Sequence, residues 1–215
     1  MKKKSFAVLG LGKYGSSLAA GLYDRGMDVL VCDRDEERIR DFAGRSTVAV
    51  TCDLADEEAL RNLGLENVET AIVATAADLS ASILSVVVAK EQGVPLVIAK
   101  AGSARMAKIL KRVGADRVVD PEAEGGQRLA TALTSPAILD IFADDENLCI
   151  LEMTPRKDWI GKSLSEIDLR RRQGVNIIAV RKGKSRWAFP DPAEPLSGEC
   201  VLLVAVEKKN LSLIQ

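Results

Sequence analysis

Histidine is absent from the 215 residues, which removes the commonest general base and the commonest zinc ligand together. Cysteine is scarce and scattered: Cys32, Cys52, Cys149 and Cys200 form no CxxC pair. Three of them sit in or beside apolar strand patterns, where a reduced thiol behaves as a small core residue. Aromatic residues make up 4% of a chain that is 47% hydrophobic, so its core is built from Ala, Val, Leu and Ile. That composition suits a parallel sheet covered by helices. The formal net charge is −1, and no basic face announces nucleic acid or a membrane surface. No apolar run approaches the roughly 18 residues that cross a bilayer. The basic start Met1-Lys2-Lys3-Lys4 precedes an apolar stretch broken by Gly10, Gly12 and Lys13, without a signal-peptide cleavage pattern. A cytosolic chain with no membrane insertion is expected.

Aliphatic strands alternate with amphipathic helices up to about residue 120. The strands are read at Phe6–Leu9, Asp28–Cys32, Thr47–Thr51, Thr70–Ala74, Leu96–Ala99 and Arg117–Val119. Helical patterns lie near Tyr14–Arg25, Asp35–Ala43, Asp56–Leu63, Leu79–Glu91 and Ser103–Val113. Such alternation means right-handed βαβ units and a doubly wound, Rossmann-like parallel sheet. Asp120-Pro121-Glu122 reads as a helix start, with aspartate as N-cap and proline at the first helical position. That helix runs to Leu133, and Ser135-Pro136 opens another short one. The expected organisation is a nucleotide-binding domain over 1–134, a linker or helix over 135–144 and a small α+β subdomain over 145–215. In the last part, strands are read at Leu148–Met153, Val175–Val180 and Val201–Val206, with a helix over Lys162–Leu169. The proline-rich run 189–195 is excluded from any central strand.

The sharpest local feature is Gly10-Leu11-Gly12-Lys13-Tyr14-Gly15. It follows a strand, opens a helix and has an acidic residue, Asp33, near the end of the next strand; that context is what a dinucleotide fingerprint requires. Gly10 permits the tight turn, Gly12 lets the backbone approach a pyrophosphate, and Gly15 lets helix and strand pack closely. The helix N-terminus then favours phosphate. Asp33 would accept hydrogen bonds from ribose hydroxyls, worth about 1.5–3 kcal/mol, and would repel a 2′-phosphate; the alternative, compatible with this, is an N-cap for the helix that begins near Arg34. Lys13 stands beside any bound phosphates, or else is a solvated lysine on the first turn. Further candidates sit at strand ends, where doubly wound sheets hold their ligands. Asp53 could meet the adenine edge or cap a helix. Ala74 and Thr75 could pass under the phosphates. Lys100 adds a second cation. Glu122 could bind a divalent ion or a neighbouring subunit's ligand, or simply favour its own helix N-terminus.

Taken together, the glycine loop, Asp33, Cys52-Asp53-Leu54-Ala55-Asp56, Ile98-Ala99-Lys100-Ala101 and the run Gly114-Ala115-Asp116-Arg117-Val118-Val119-Asp120-Pro121-Glu122 resemble RCK (regulator of potassium conductance) domains. Trp159-Ile160-Gly161-Lys162-Ser163-Leu164 followed by Val175–Val180 is similar to the RCK C-terminal subdomain, so the resemblance covers nearly the whole chain. More narrowly, the chain looks like the cytosolic regulatory subunit of a Ktr/Trk-type potassium uptake system. The resemblance implies a homo-oligomeric ring, an octamer in the Ktr type, that binds ATP or ADP. It also implies gating of a separate membrane-embedded potassium channel or transporter, through which the ring meets the membrane. Trk-type relatives carry two modules and are associated with NAD or NADH; one module favours the Ktr type. Ktr relatives usually carry an arginine at the terminal phosphate, where this sequence has Lys13, which keeps the charge but not the bidentate geometry. Some members bind a cyclic dinucleotide at the C-terminal subdomain. The competing reading, a small NAD-dependent oxidoreductase, lacks a histidine and a Tyr-x-x-x-Lys pair from which to build a proton relay.

Overall fold

The computed structural model describes residues 4–134, 137–144 and 147–214. The chain divides into two compact units, one before and one after the boundary between Ala123 and Glu124.

The first unit is an alternation of strand and helix: β1 (Ser5–Leu9), α1 (Lys13–Tyr23), β2 (Asp28–Asp33), α2 (Glu36–Phe42), β3 (Val48–Thr51), α3 (Glu57–Arg61), β4 (Thr70–Val73), α4 (Leu79–Glu91), β5 (Leu96–Lys100), α5 (Ala104–Arg112) and β6 (Arg117–Val119). The six strands form one sheet in the order β3-β2-β1-β4-β5-β6, parallel at every pairing. The order reverses between β1 and β4, which opens a crevice at their carboxyl ends. Because strand side chains alternate, Val8 and Leu9 serve opposite faces. Leu9, Val73 and Ala99 meet Leu60, Val86 and Leu110 on one side, while Val8, Val31 and Ile72 meet Ala19 and Phe42 on the other.

Each helix from α2 to α5 begins at a side-chain cap: Asp35, Asp56, Asp78 and Ser103 accept from backbone N–H groups one turn on, as short polar residues do at N-caps. The run from Gly114 to Glu122 gains a physical account. Gly114 takes a φ of +113°, open to glycine alone at low cost. Ala115 is buried. The Asp116 carboxylate accepts the Val97 N–H at 2.6 Å and pairs with Lys90, tying the start of β5 to the turn. Asp120 accepts the Ala123 N–H and so caps α6 (Pro121–Thr134), as expected from the sequence.

The second unit is built on an antiparallel sheet of β7 (Ile138–Asp144), β8 (Leu148–Met153), β9 (Val175–Lys182) and β10 (Cys200–Glu207), in the order β7-β8-β10-β9. Cys200, Leu202, Val204 and Val206 alternate inward along β10 against Cys149, Leu151, Met153 and Trp159. Two expectations are corrected here. Residues 138–144, read as part of a linker and short helix, are a strand paired to β8. Ser135 and Pro136, where that helix was to open, lie outside the described residues. The helix expected over Lys162–Leu169 is two short turns, α7 (Leu164–Ile167) and α8 (Leu169–Gln173), broken at Asp168 with a φ of 50°.

Candidate nucleotide-binding site

α1 differs from the other helices of the first unit. Gly12 stands at its N-cap with no side-chain hydrogen bond, and, as in α4 and α5, its first turn carries no acidic residue. Its leading N–H groups therefore keep their capacity to bind an anion, reinforced by the helix dipole. The three loop glycines are small for separate reasons. Gly10 has a φ of +102°, and a Cβ there would come within 3.2 Å of the Thr75 nitrogen. A Cβ on Gly15 would lie 1.9 Å from the Gly10 carbonyl oxygen and 3.0 Å from the Ala74 Cβ, so that residue closes helix against strand. A Cβ on Gly12 meets no protein atom within 4 Å. Packing does not demand glycine there.

Asp33 ends β2 and is buried. One carboxylate oxygen accepts the Leu11 N–H at 2.6 Å; the other accepts the Asp35 N–H at 2.9 Å. This carboxylate shapes the glycine loop from beneath. It does not cap α2, a task that falls to Asp35. Asp53, exposed after β3, accepts the Ala55 N–H at 2.9 Å, while Asp56 caps α3, so Asp53 shapes a turn and is not a helix cap. Buried Ala74 donates its N–H to the Leu9 carbonyl, and the Thr75 carbonyl accepts from Ser82.

These elements surround a cleft of about 560 Å³ lined by Gly10, Asp33, Arg34, Arg38, Asp53, Leu54, Thr75, Ala77, Asp78, Leu79 and Ala81, within the size range of small-molecule sites. Sequence reasoning missed Arg38. It reaches back from the first turn of α2 to Asp33 at 3.4 Å and to Asp35 at 3.3 Å. The signal was there: an arginine three residues after an aspartate N-cap lies on the same helix face.

Tyr14, Lys100 and Glu122 form a second cluster. Lys100 Nζ lies 2.6 Å from a Glu122 carboxylate oxygen and 5.9 Å from the centre of the Tyr14 ring. That ion pair holds the Glu122 carboxyl below its usual range. Lys13 is exposed, and no hydrogen bond or ion pair to its side chain occurs among the described residues. Among those residues, no group of three or more His, Cys, Asp or Glu side chains is arranged to hold a metal ion. None of the four cysteines is in a disulfide. Burial pushes the Cys32, Cys52 and Cys200 thiols up.

A TrkA-N domain model matches residues 6–121, and a TrkA-C domain model matches residues 150–215. The chain belongs to the TrkA-N/TrkA-C, or RCK, family. It is 35% identical over 210 residues to the Ktr system potassium uptake protein C of Bacillus subtilis, spanning 98% of this chain and 95% of that one. Among solved structures, the GsuK RCK domain superposes with a TM-score of 0.64 at 18% identity, covering 98% of this chain and 46% of that one. The GsuK channel bound to NAD gives 0.66 at 18% identity, covering 99% and 39%. At such identity these two speak for the fold. Among the described residues no helix is long and apolar enough to cross a membrane.

Proposed function

We propose that this RCK protein is a nucleotide-sensing regulatory subunit, not an enzyme, that gates a potassium channel or transporter embedded in the membrane and meets that membrane through it. The observation that carries the sensing part is the uncapped N-terminus of α1, open at Gly12 beside a cleft floored by Asp33. The potassium part rests on the full-length similarity to a Ktr system potassium uptake protein.

In this reading adenine nucleotide enters between the ends of β1, β2 and β4. Ribose hydroxyls turn to Asp33, displacing the exposed Arg38, and Asp53 meets the adenine edge. Phosphates lie over Gly10, Gly12 and Gly15, with Ala74 and Thr75 beneath. Lys13 supplies a cation for the terminal phosphate of ATP, which favours ATP over ADP or NAD. A divalent cation accompanying the phosphates would take Glu122 as one ligand and draw the rest from phosphate oxygens or a neighbouring subunit.

Gating requires repeated subunits, because each ligand must bias an interface shared by neighbours. Two surfaces support association. Leu129 and Leu133, one turn apart on α6, are 61% and 75% exposed. An apolar groove of about 210 Å³, lined by Phe6, Tyr14, Leu18, Ile72, Ile98 and Val119 among others, opens on the α1 side of the first sheet. Exposed apolar surface of this kind supports association, and the assembly proposed is a homo-octameric ring built from dimers. The apolar stretch Ile83–Ala89, whose sequence would suit an interface or the core equally, places Val86, Val88 and Ala89 in the core.

Mass spectrometry of the ligand that copurifies tests the adenine-nucleotide reading directly, with ATP or ADP expected and an empty protein counting against it. Lys13→Ala should then lower ATP affinity by about tenfold and ADP or NAD affinity by much less, since a phosphate ion pair contributes about 1.4 kcal/mol. Equal losses for all three ligands in calorimetry would reduce Lys13 to a general counter-charge.

A further inference from the structure

The Lys100–Glu122 pair is unequal. The lysine side chain is 14% exposed and the glutamate 66%. The covered stem fixes where the Lys100 ammonium can reach, and that ammonium meets the Glu122 carboxylate and lies 5.9 Å from the centre of the Tyr14 ring. The exposed carboxylate can return to water at little cost. Lys100 is therefore the fixed member of the pair and Glu122 the movable one.

The placement of the three residues gives that inequality a use. Tyr14 stands on the first turn of α1, one residue after Lys13, at the helix end open to anions. Glu122 stands on the first turn of α6, the helix that runs past Ala123, where the first unit ends and the second begins. Lys100, at the carboxyl end of β5, touches both.

We propose that Lys100 is a shared cation: it holds Glu122 when the cleft contains no terminal phosphate and turns to that phosphate when a nucleoside triphosphate binds, releasing the first turn of α6. The proposal rests on the nucleotide reading above and adds to it the residue that carries occupancy to α6. Lys100 acts here as a positioning residue for α6. The depressed Glu122 carboxyl, held down chiefly by its hydrogen bond from Lys100, is consistent with the pair being intact without ligand.

Linkage supplies the test. If carboxylate and phosphate compete for one ammonium, removing the carboxylate must tighten triphosphate binding, and only while the ammonium is present. In the full chain with a chelator excluding divalent ions, Glu122→Gln should raise ATP affinity about fivefold and leave ADP affinity nearly unchanged. In a Lys100→Gln background the same substitution should do nothing, and Lys100→Arg, which keeps the charge, should restore the effect. Hydrogen exchange at the first turn of α6 should rise with ATP in the wild type and be raised already in Glu122→Gln. An equal gain in the Lys100→Gln background would mean simple charge removal and overturn the proposal. So would equal gains for ATP and ADP, or none at all. A wild-type protein that binds neither nucleotide would bring down the nucleotide reading itself; normal binding without Lys100-dependent coupling would bring down only this inference.

Discussion

Gly12 and Gly15 stand three residues apart in one loop, yet their substitution separates binding from folding. Alanine at 15 sets a Cβ against a backbone oxygen at 1.9 Å, and neither helix nor strand can yield. We expect Gly15→Ala to destabilise the protein by more than about 2 kcal/mol, as overpacking of a close backbone approach does. Alanine at 12 meets nothing within 4 Å and suits the local φ of −65°. Gly12→Ala should therefore cost less than about 1 kcal/mol as an N-cap change while reducing nucleotide affinity at least tenfold. Thermal melts and calorimetry on the two variants check this, and a Gly12→Ala protein that binds normally would show that no phosphate approaches there. The same scale corrects the simplest view of Asp33. Since it holds the Leu11 and Asp35 N–H groups, its removal disturbs the loop as well as any ribose contact.

Among elements, the alternation of the first unit was legible because buried parallel strands are short aliphatic runs and their helices repeat on a different period. The cap at Asp120, with Pro121 after it, was legible for the same local reason. β7 was not. Pro136 suggested a helix start, and the pairing that makes 138–144 a strand comes from β8, a partner that no local pattern displays. Arg38 escaped because its distance to Asp33 depends on where α2 begins, and the helical pattern placed that start one residue early. The cleft residues at strand ends could be named in advance, since topology alone brings strand ends together. The pairing of Lys100 with Glu122 could not, because it depends on how two neighbouring loops turn.

Asp116 offers a test of how such a loop is secured. Its carboxyl is held below the ordinary value chiefly by the Val97 N–H and then by Lys90. A group depressed on folding contributes stability that is present above its unfolded value of about 3.9 and is lost as pH falls through the folded value. Asp116→Asn should cost about 1 kcal/mol at pH 7, discounted for the partial exposure of the side chain. It should also flatten the loss of stability seen below about pH 4. Urea midpoints at pH 7 and pH 3 measure both effects; a variant that loses equal stability at the two values would deny the carboxylate its role.

For the molecule as a whole, the decisive quantity is the number of chains that act together. Light scattering at micromolar concentration should report an octamer, and small-angle scattering should distinguish its ATP-bound from its ADP-bound form. A monomer with either nucleotide would defeat the ring; identical profiles would keep the ring and remove the switch.

The buried thiols carry one further consequence. With no histidine in the chain and the Cys32, Cys52 and Cys200 thiols pushed up by burial, the side chains that ordinarily exchange protons near neutrality contribute little between about pH 6 and 8. A terminal phosphate, by contrast, takes up its last proton near pH 6. Protons released or absorbed on nucleotide binding in that interval then come chiefly from the nucleotide. Calorimetry in buffers of different ionisation enthalpy then follows the charge on the bound phosphate against a small background from the protein.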